Sequence, residues 1–332
     1  MKIAILGAGA WGSALGVSFS TVHEVCLWTR RPQACALLAT RRSSPYLPDI
    51  TLPDALRIEP DLASAIAGCD LAIVATSTSG LREVAGAIAR IRPGIDLLWA
   101  CKGFESGSRK LPHEIVAEAL PAAGHAGALS GPSFALEVAR GQPTALVLAC
   151  RDGDFAAVTA AGLNDARLRI YSSTDLPGVE LGGALKNVVA IAAGICDGLG
   201  LGRNARAALI TRGLAEVVRL GVGMGGQPET FMGLTGLGDL VLTCTGDLSR
   251  NREVGLQLAR GQEIASILPA LGHVAEGVHS ASAALALARE HGVEMPITES
   301  VCAVLFDGES PAIAVERLLA RGPKAERPGG VL

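Results

Sequence analysis

Ile3, Ala4, Ile5 and Leu6 run directly into Gly7-Ala8-Gly9-Ala10-Trp11-Gly12, and a helical pattern follows at once. This order of apolar strand, three spaced glycines and helix is met by a tight strand-to-helix turn. Gly7 makes the turn, Gly9 lets a ligand approach the backbone, and Gly12 lets the helix pack closely on the strand. The start of the helix presents N–H groups without intrahelical partners, which favour an anion such as a pyrophosphate. Spacing alone is a weak signal, because 41 of the 332 residues are glycine. The position after a β-branched run gives it weight. A secretory signal, with Lys2 ahead of the apolar run, would need a clear cleavage site, so a strand is expected instead.

Further short apolar runs alternate with helical patterns through the first half of the chain. Lys2–Leu6, Glu24–Trp28, Leu71–Ala75, Leu97–Trp99, Ala128–Ser130 and Ala145–Ala149 read as buried strands. Trp11–Ser20, Gln33–Thr40, Asp61–Ala67, Leu81–Arg90, Lys110–Ala119 and Pro132–Ala139 read as the helices between them. The alternation predicts an α/β fold with a doubly wound, Rossmann-type parallel sheet and helices on both faces. From about Leu176 the texture changes to long helical patterns, Val179–Cys196, Asn204–Val222, Ser280–His291 and Pro296–Phe306. A boundary is therefore expected near Asp175–Gly178, with a dinucleotide-binding domain over 1–177 and an all-helical domain over 178–332. The Pro/Gly-rich tail from Arg321 is expected to fray.

Composition narrows the function. Lys plus Arg number 29 and Asp plus Glu 32, a net charge of −3, which disfavours a polybasic nucleic-acid binder. Hydrophobic residues make up 49% and charged ones 18%, which excludes a mainly disordered chain. The eight cysteines form no C-x-x-C, and the six histidines no H-x-x-x-H, so a metal site is not expected. Scattered thiols of this kind fit buried positions in a reducing cytoplasm. No uncharged Leu/Ile/Val/Phe block is long enough to predict membrane insertion.

Several polar residues stand in apolar or glycine-rich surroundings and are candidates for chemistry. At the end of the second strand, Arg30-Arg31 replaces the acidic residue that usually reads the ribose hydroxyls of NAD. Two guanidiniums there can receive a 2′-phosphate, which favours NADP; a solvated surface pair is the alternative. Lys102-Gly103 follows a strand's C-terminal end, where open α/β sheets bind ligands. Ser130-Gly131-Pro132-Ser133 begins a helix after another strand. Lys186-Asn187 interrupts a run of Leu, Gly, Ala, Val and Ile. Lys186 reads either as a snorkelling surface lysine or as an acid–base group made useful by apolar surroundings. Asp239, in Gly236-Leu237-Gly238-Asp239, is either an N-cap or the charge partner that Lys186 needs. Ser249-Arg250-Asn251-Arg252 joins a helix start to two arginines, a combination suited to a dianionic phosphate.

Together, Lys102-Gly103, Ser130–Ala135, Leu181–Asn187, Gly236–Leu240 and Ser249–Asn251 resemble the NAD(P)-dependent sn-glycerol-3-phosphate dehydrogenases of bacterial type. The likeness runs in order from about Lys2 to about Gly308. It implies reversible reduction of dihydroxyacetone phosphate to sn-glycerol 3-phosphate, for glycerophospholipid synthesis, with NAD or NADP as cofactor. By resemblance, Lys186 is the proton donor and acceptor, with Lys102 and Asp239 as catalytic neighbours. Lys102, Gly131, Ser133, Lys186, Asn187, Asp239, Thr243, Ser249, Arg250 and Asn251 would face substrate, Arg250 at its phosphate. Gly7, Gly9, Ala10, Trp11, Gly12, Arg30, Arg31, Lys102, Ala135, Arg250, Val274 and Glu276 would line the cofactor. The resemblance is compatible with a homodimer. The rival readings are a Rossmann-plus-helical reductase of a β-hydroxyacid or ketopantoate, and an NADP-holding sensor without turnover. The first kind of substrate carries a carboxylate, and the phosphate site at Ser249–Arg252 argues against it; a sensor would not need Lys186 and Asp239 in apolar segments.

Overall fold

The computed structural model describes residues 1–271 and 275–322. The chain divides into two compact units, Met1–Glu180 and Leu181–Leu332.

The first unit holds ten strands: β1 (Lys2–Leu6), β2 (Glu24–Trp28), β3 (Ser43–Ser44), β4 (Leu47–Thr51), β5 (Arg57–Glu59), β6 (Leu71–Val74), β7 (Leu97–Trp99), β8 (Ala126–Ser130), β9 (Thr144–Cys150) and β10 (Leu168–Ser173). Eight form one sheet in the order β10-β9-β8-β7-β6-β1-β2-β5, while β3 and β4 make a separate antiparallel pair. The chain leaves β1 towards β2 on one side and returns to β6 on the other, so the order reverses between β1 and β6. That reversal opens a crevice at the carboxyl ends of these strands, where doubly wound sheets take their ligands. The helices here are α1 (Ala10–Phe19), α2 (Pro32–Arg41), α3 (Leu62–Ile66), α4 (Thr78–Ile91), α5 (Pro112–Ala119), α6 (Ala135–Ala139) and α7 (Gly153–Leu163). Ile3, Ile5, Leu27, Ile73 and Leu98 pack with Leu15 and Phe19 in its core, all within 1% of full burial.

The sheet is parallel, as expected, except at one pair. β8 pairs antiparallel with β9, and β10 then runs parallel to β9. Between β8 and β9 stands only the five-residue α6, too little helix to cross back over the sheet. β9 and β10 are instead joined by the eleven-residue α7, enough for a parallel crossover.

Helix α8 (Leu176–Gly198) begins before the division between the units and continues past it. It is long and apolar enough to cross a membrane, yet every residue of its most apolar stretch is buried within the protein. The other described elements of the second unit are all helical: α9 (Gly202–Gly223), α10 (Pro228–Met232), a π-helical turn (Leu234–Gly238), α11 (Asp239–Thr245), α12 (Arg250–Ala259), α13 (Ile264–Leu271), α14 (Glu276–Glu290), α15 (Pro296–Phe306) and α16 (Pro311–Leu319). Val188, Ile191 and Ile195 of α8 pack with Val254, Val278, Ile297 and Val301 in a second core. Inside it Glu216 of α9 accepts from the backbone N–H groups of Ile297 (2.6 Å) and Thr298 (3.1 Å), closing the start of α15. Desolvation pushes the Glu216 carboxyl above the ordinary carboxylate value, against the pull of those donors.

Candidate active site

The glycine turn is built as its three positions require. Gly7 has φ +125°, and an added Cβ would stand 2.8 Å from the Ala75 carbonyl oxygen at the end of neighbouring β6. A Cβ on Gly12 would overlap the Gly7 carbonyl, so this glycine holds α1 against the turn. Gly9 differs from both: its φ is −73°, and an added Cβ would meet no heavy atom within 4 Å. The backbone is therefore open at Gly9, the N-cap of α1, which makes no side-chain cap bond. Open backbone beside a helix start at the sheet's switch point fits the pyrophosphate of a dinucleotide. Ala10, Trp11 and Ala135 come together in one apolar cluster with Ala14 and Val138, the three lying partly exposed against it. Arg30 and Arg31 lie at the end of β2, both exposed. Arg30 Nη1 pairs with Glu83 Oε2 of α4 at 2.7 Å, whereas the Arg31 side chain makes no hydrogen bond or ion pair among the described residues.

Lys102 follows β7 and donates from Nζ to the Gly131 carbonyl at 3.0 Å, and Ser133 Oγ donates to the same oxygen at 3.1 Å. Gly131 has φ +137°, a conformation that a side chain would strain. The structure thus brings Lys102, Gly131 and Ser133 together in the first unit. The loop beyond Lys102 is clamped by Arg82, whose Nε and Nη2 donate to Glu105 at 2.7 and 2.8 Å. These bonds hold the Glu105 carboxyl down to about 2. Trp99, three residues before Lys102, is held by Glu180: indole Nε1 donates to its carboxylate at 2.8 Å, and His113 N–H does so at 2.9 Å.

In the second unit Lys186 is 7% exposed and Asp239 1%, and the ammonium is bonded to Asp239 Oδ1. Lys186 Nζ also donates to Thr243 Oγ1 at 3.0 Å, while Thr243 donates to the Asp239 main-chain carbonyl at 2.6 Å. Asp239 is the charge partner of Lys186, and Lys186 is a buried lysine rather than a snorkelling one. A buried ammonium without such a carboxylate would be strongly unfavourable. A close glycine contact lies one turn before the pair. An added Cβ on Gly182 would lie 2.5 Å from the Thr235 carbonyl oxygen, so α8 and the π turn touch backbone to backbone. One turn further along each element stand Lys186 and Asp239. Burial also pushes the neighbouring Cys244 thiol up to about 12, leaving it protonated and inert beside them.

Asn187 Oδ1 accepts from Asn251 Nδ2 at 3.0 Å, and Asn251 Oδ1 accepts from Gly277 N–H at 3.0 Å. This chain joins α8, α12 and α14, and it leaves each amide in a fixed orientation. Ser249 caps α12 by accepting from the Arg252 N–H at 3.2 Å. Arg250 is the first residue of α12 and is exposed. Desolvation nevertheless holds its guanidinium below the ordinary arginine value, with Glu276 opposing that shift. Val274 lies outside the described residues.

The sequence matches the family of NAD-dependent glycerol-3-phosphate dehydrogenases with both of its parts, the N-terminus over residues 2–156 and the C-terminus over residues 175–316. The chain belongs to that family. It is 55% identical over 331 residues to a glycerol-3-phosphate dehydrogenase [NAD(P)+] of Nitrosospira multiformis, covering 98% of this chain and 99% of that protein. A namesake from Thiobacillus denitrificans is 56% identical over 328 residues, covering 98% and 100%. The crystal structure of glycerol-3-phosphate dehydrogenase from Coxiella burnetii superposes with a TM-score of 0.91 at 40% identity, covering 96% of this chain and 99% of that one. A probable 2-dehydropantoate 2-reductase of Bacillus subtilis shares the fold alone, with a TM-score of 0.56 at 15% identity.

For this member of the glycerol-3-phosphate dehydrogenase family, one sequence reading changes. Arg252 does not join Arg250 as a second arginine open to an anion, because two carboxylates take up its guanidinium. Its Nε donates to Asp197 Oδ2 at 2.9 Å, and its Nη1 to Asp247 Oδ1 at 3.1 Å. Asp197 is the residue that reading the sequence missed. Its signal was an acidic side chain in the last turn of an apolar helix, where the helix dipole disfavours it unless a cation answers.

Proposed function

We propose that this chain catalyses the reversible reduction of dihydroxyacetone phosphate to sn-glycerol 3-phosphate, the backbone of glycerophospholipids. Family membership supports the reaction, and the buried Lys186–Asp239–Thr243 cluster is the observation that carries the chemistry. A bound NADPH or NADH supplies the hydride that reaches the carbonyl carbon. Lys186 gives its proton to the carbonyl oxygen as negative charge gathers there, and takes it back in the reverse direction. Asp239 and Thr243 hold the ammonium in place and set its direction. Asn187 and Asn251, fixed by their shared hydrogen bond, orient the small polar substrate. Arg250 and the first N–H groups of α12 take the phosphate. Lys102 adds positive potential from its place beside Gly131 and Ser133.

NADP is the favoured cofactor in this reading, and Arg31 carries the preference, with Arg30 shared between Glu83 and the 2′-phosphate. The eight free cysteines, seven of them buried, support a reducing, cytoplasmic setting. The test follows NADPH absorbance on mixing with dihydroxyacetone phosphate, with ketopantoate, and with no ketone. Loss with the first alone is expected; loss with ketopantoate alone would overturn the reading.

A further inference from the structure

The first turn of α12 carries two arginines two positions apart, and the protein treats them in opposite ways. Arg250 is left exposed, while Arg252 is drawn back along α8. Arg252 retains 14% side-chain exposure, and both its Nε (2.9 Å) and its Nη2 (2.8 Å) reach Asp197 Oδ2. Asp197, itself 15% exposed, also accepts from Arg206 Nη1 at 3.0 Å. The cluster stands over a close crossing of α8 and α12. An added Cβ on Gly255 would lie 2.8 Å from the Gly194 Cα, and one on Gly194 would overlap the Arg252 carbonyl. Ile191 and Ile195 of α8 and Val254 of α12 pack beside these glycines, but apolar contact is non-directional and leaves the rotation of the first turn to polar ties. Two such ties bracket the crossing: Asn187 with Asn251, and Asp197 with Arg252.

We infer that Asp197 is a positioning residue for the phosphate end of the substrate. By holding Arg252 it fixes the rotation of the first turn of α12, and so the placement of Arg250 and Asn251. It also neutralises Arg252, so that Arg250 is the side chain of that turn left to meet the phosphate. The inference rests on the assignment of the substrate phosphate to Arg250.

The test compares four variants at saturating NADPH, with dihydroxyacetone phosphate and with free dihydroxyacetone. Asp197→Asn keeps the shape and removes the charge. It should raise KM for the phosphorylated ketone about 10-fold, leaving kcat within about twofold, NADPH affinity unchanged, and kcat/KM for the free ketone unchanged. Arg206→Met removes the other partner of Asp197 without touching α12, and should leave KM unchanged. Arg250→Ala serves as the reference for losing the phosphate ligand. Arg252→Lys keeps the charge but loses the forked contact, and should raise KM several-fold; it decides the matter if Asp197→Asn does not fold. An unchanged KM in Asp197→Asn, or equal losses on both ketones, would overturn the role of Asp197 while a selective loss in Arg250→Ala upholds the phosphate assignment. If Arg250→Ala itself loses no selectivity for the phosphorylated ketone, the assignment falls and the inference with it.

Discussion

The first unit presents its candidate groups mainly through backbone, and the second through buried side chains. At the glycine turn, Gly7 and Gly12 allow close approach and Gly9 leaves the chain open, with no buried charge among them. Around Lys186, by contrast, an ammonium, a carboxylate, a hydroxyl and two carboxamides are all below 9% exposed, the first three bonded together and the two carboxamides to each other. Backbone sites depend on what is absent from a position, while side-chain sites depend on what is present. The two should therefore fail differently. Adding a methyl group should damage the first, and removing a polar group should damage the second.

The largest effect is expected at Lys186. Lys186→Ala should lower the chemical step by ~10²–10⁴-fold with NADPH affinity unchanged, as measured by single-turnover hydride transfer. Wild-type turnover would mean that the buried pair serves packing alone. Next come the glycines, which separate binding from folding within one motif. Gly9→Val should fold with a normal Tm, since nothing lies within 4 Å of its Cβ, yet lose NADPH affinity by about 100-fold. Gly12→Ala should instead lower Tm, because its Cβ meets the Gly7 carbonyl. Titration calorimetry and a melting curve distinguish the two; equal losses in both assays would erase the distinction. Changing Arg30 and Arg31 together to Asp should cost NADPH about 10-fold or more and NADH much less. Equal losses would make the pair a surface feature.

The smallest effect concerns pH, where one carboxyl group from each unit should act with opposite sign. Glu105 sits at about 2 against an ordinary 4.5, so its pairing with Arg82 contributes stability above about pH 4.5 and loses it as pH falls towards 2. Arg82 is 40% exposed, so screening reduces this to about 1 kcal/mol. Glu216 is shifted upward, so the fold loses stability as pH rises from the ordinary carboxylate range through the raised value. Melting curves across pH should show Glu105→Gln flattening the acid side and Glu216→Gln removing the loss on the other.

Much of the sheet could be read from the chain, because strands buried on both faces form unbroken apolar runs. β1, β2 and β7 have the bounds the sequence suggested. β10 escaped notice because it is an edge strand: Arg169 and Tyr171 face outward and break its apolar pattern. β5, three residues at the other edge, includes Arg57 and Glu59 and shows no run at all. The reversal of β9 relative to β8 has no local signal, since a strand reads the same in either direction. Candidate residues could be named singly from odd polarity in apolar company. Their pairings could not, because Lys186 and Asp239 lie 53 positions apart, and Asp197 and Arg252 lie 55 apart. Periodicity reports which face a residue occupies, and says nothing of what waits opposite it.

The π-helical turn before Asp239 closes with the Gly238 N–H bonded to the Gly233 carbonyl at 3.1 Å, five residues back rather than four. Such a turn is an ordinary helix with one residue to spare. Deleting that residue would return the turn to regular geometry and leave the helix beyond it in register, because five residues of a π turn sweep about the same rotation as four of an α turn. Asp239 would then keep its side towards Lys186. Chain length is thus slack just ahead of the pair and strict within it. Single-residue deletions through 234–238 should prove more tolerated than deletions through 240–242, each of which would turn Thr243 by about 100° relative to Asp239.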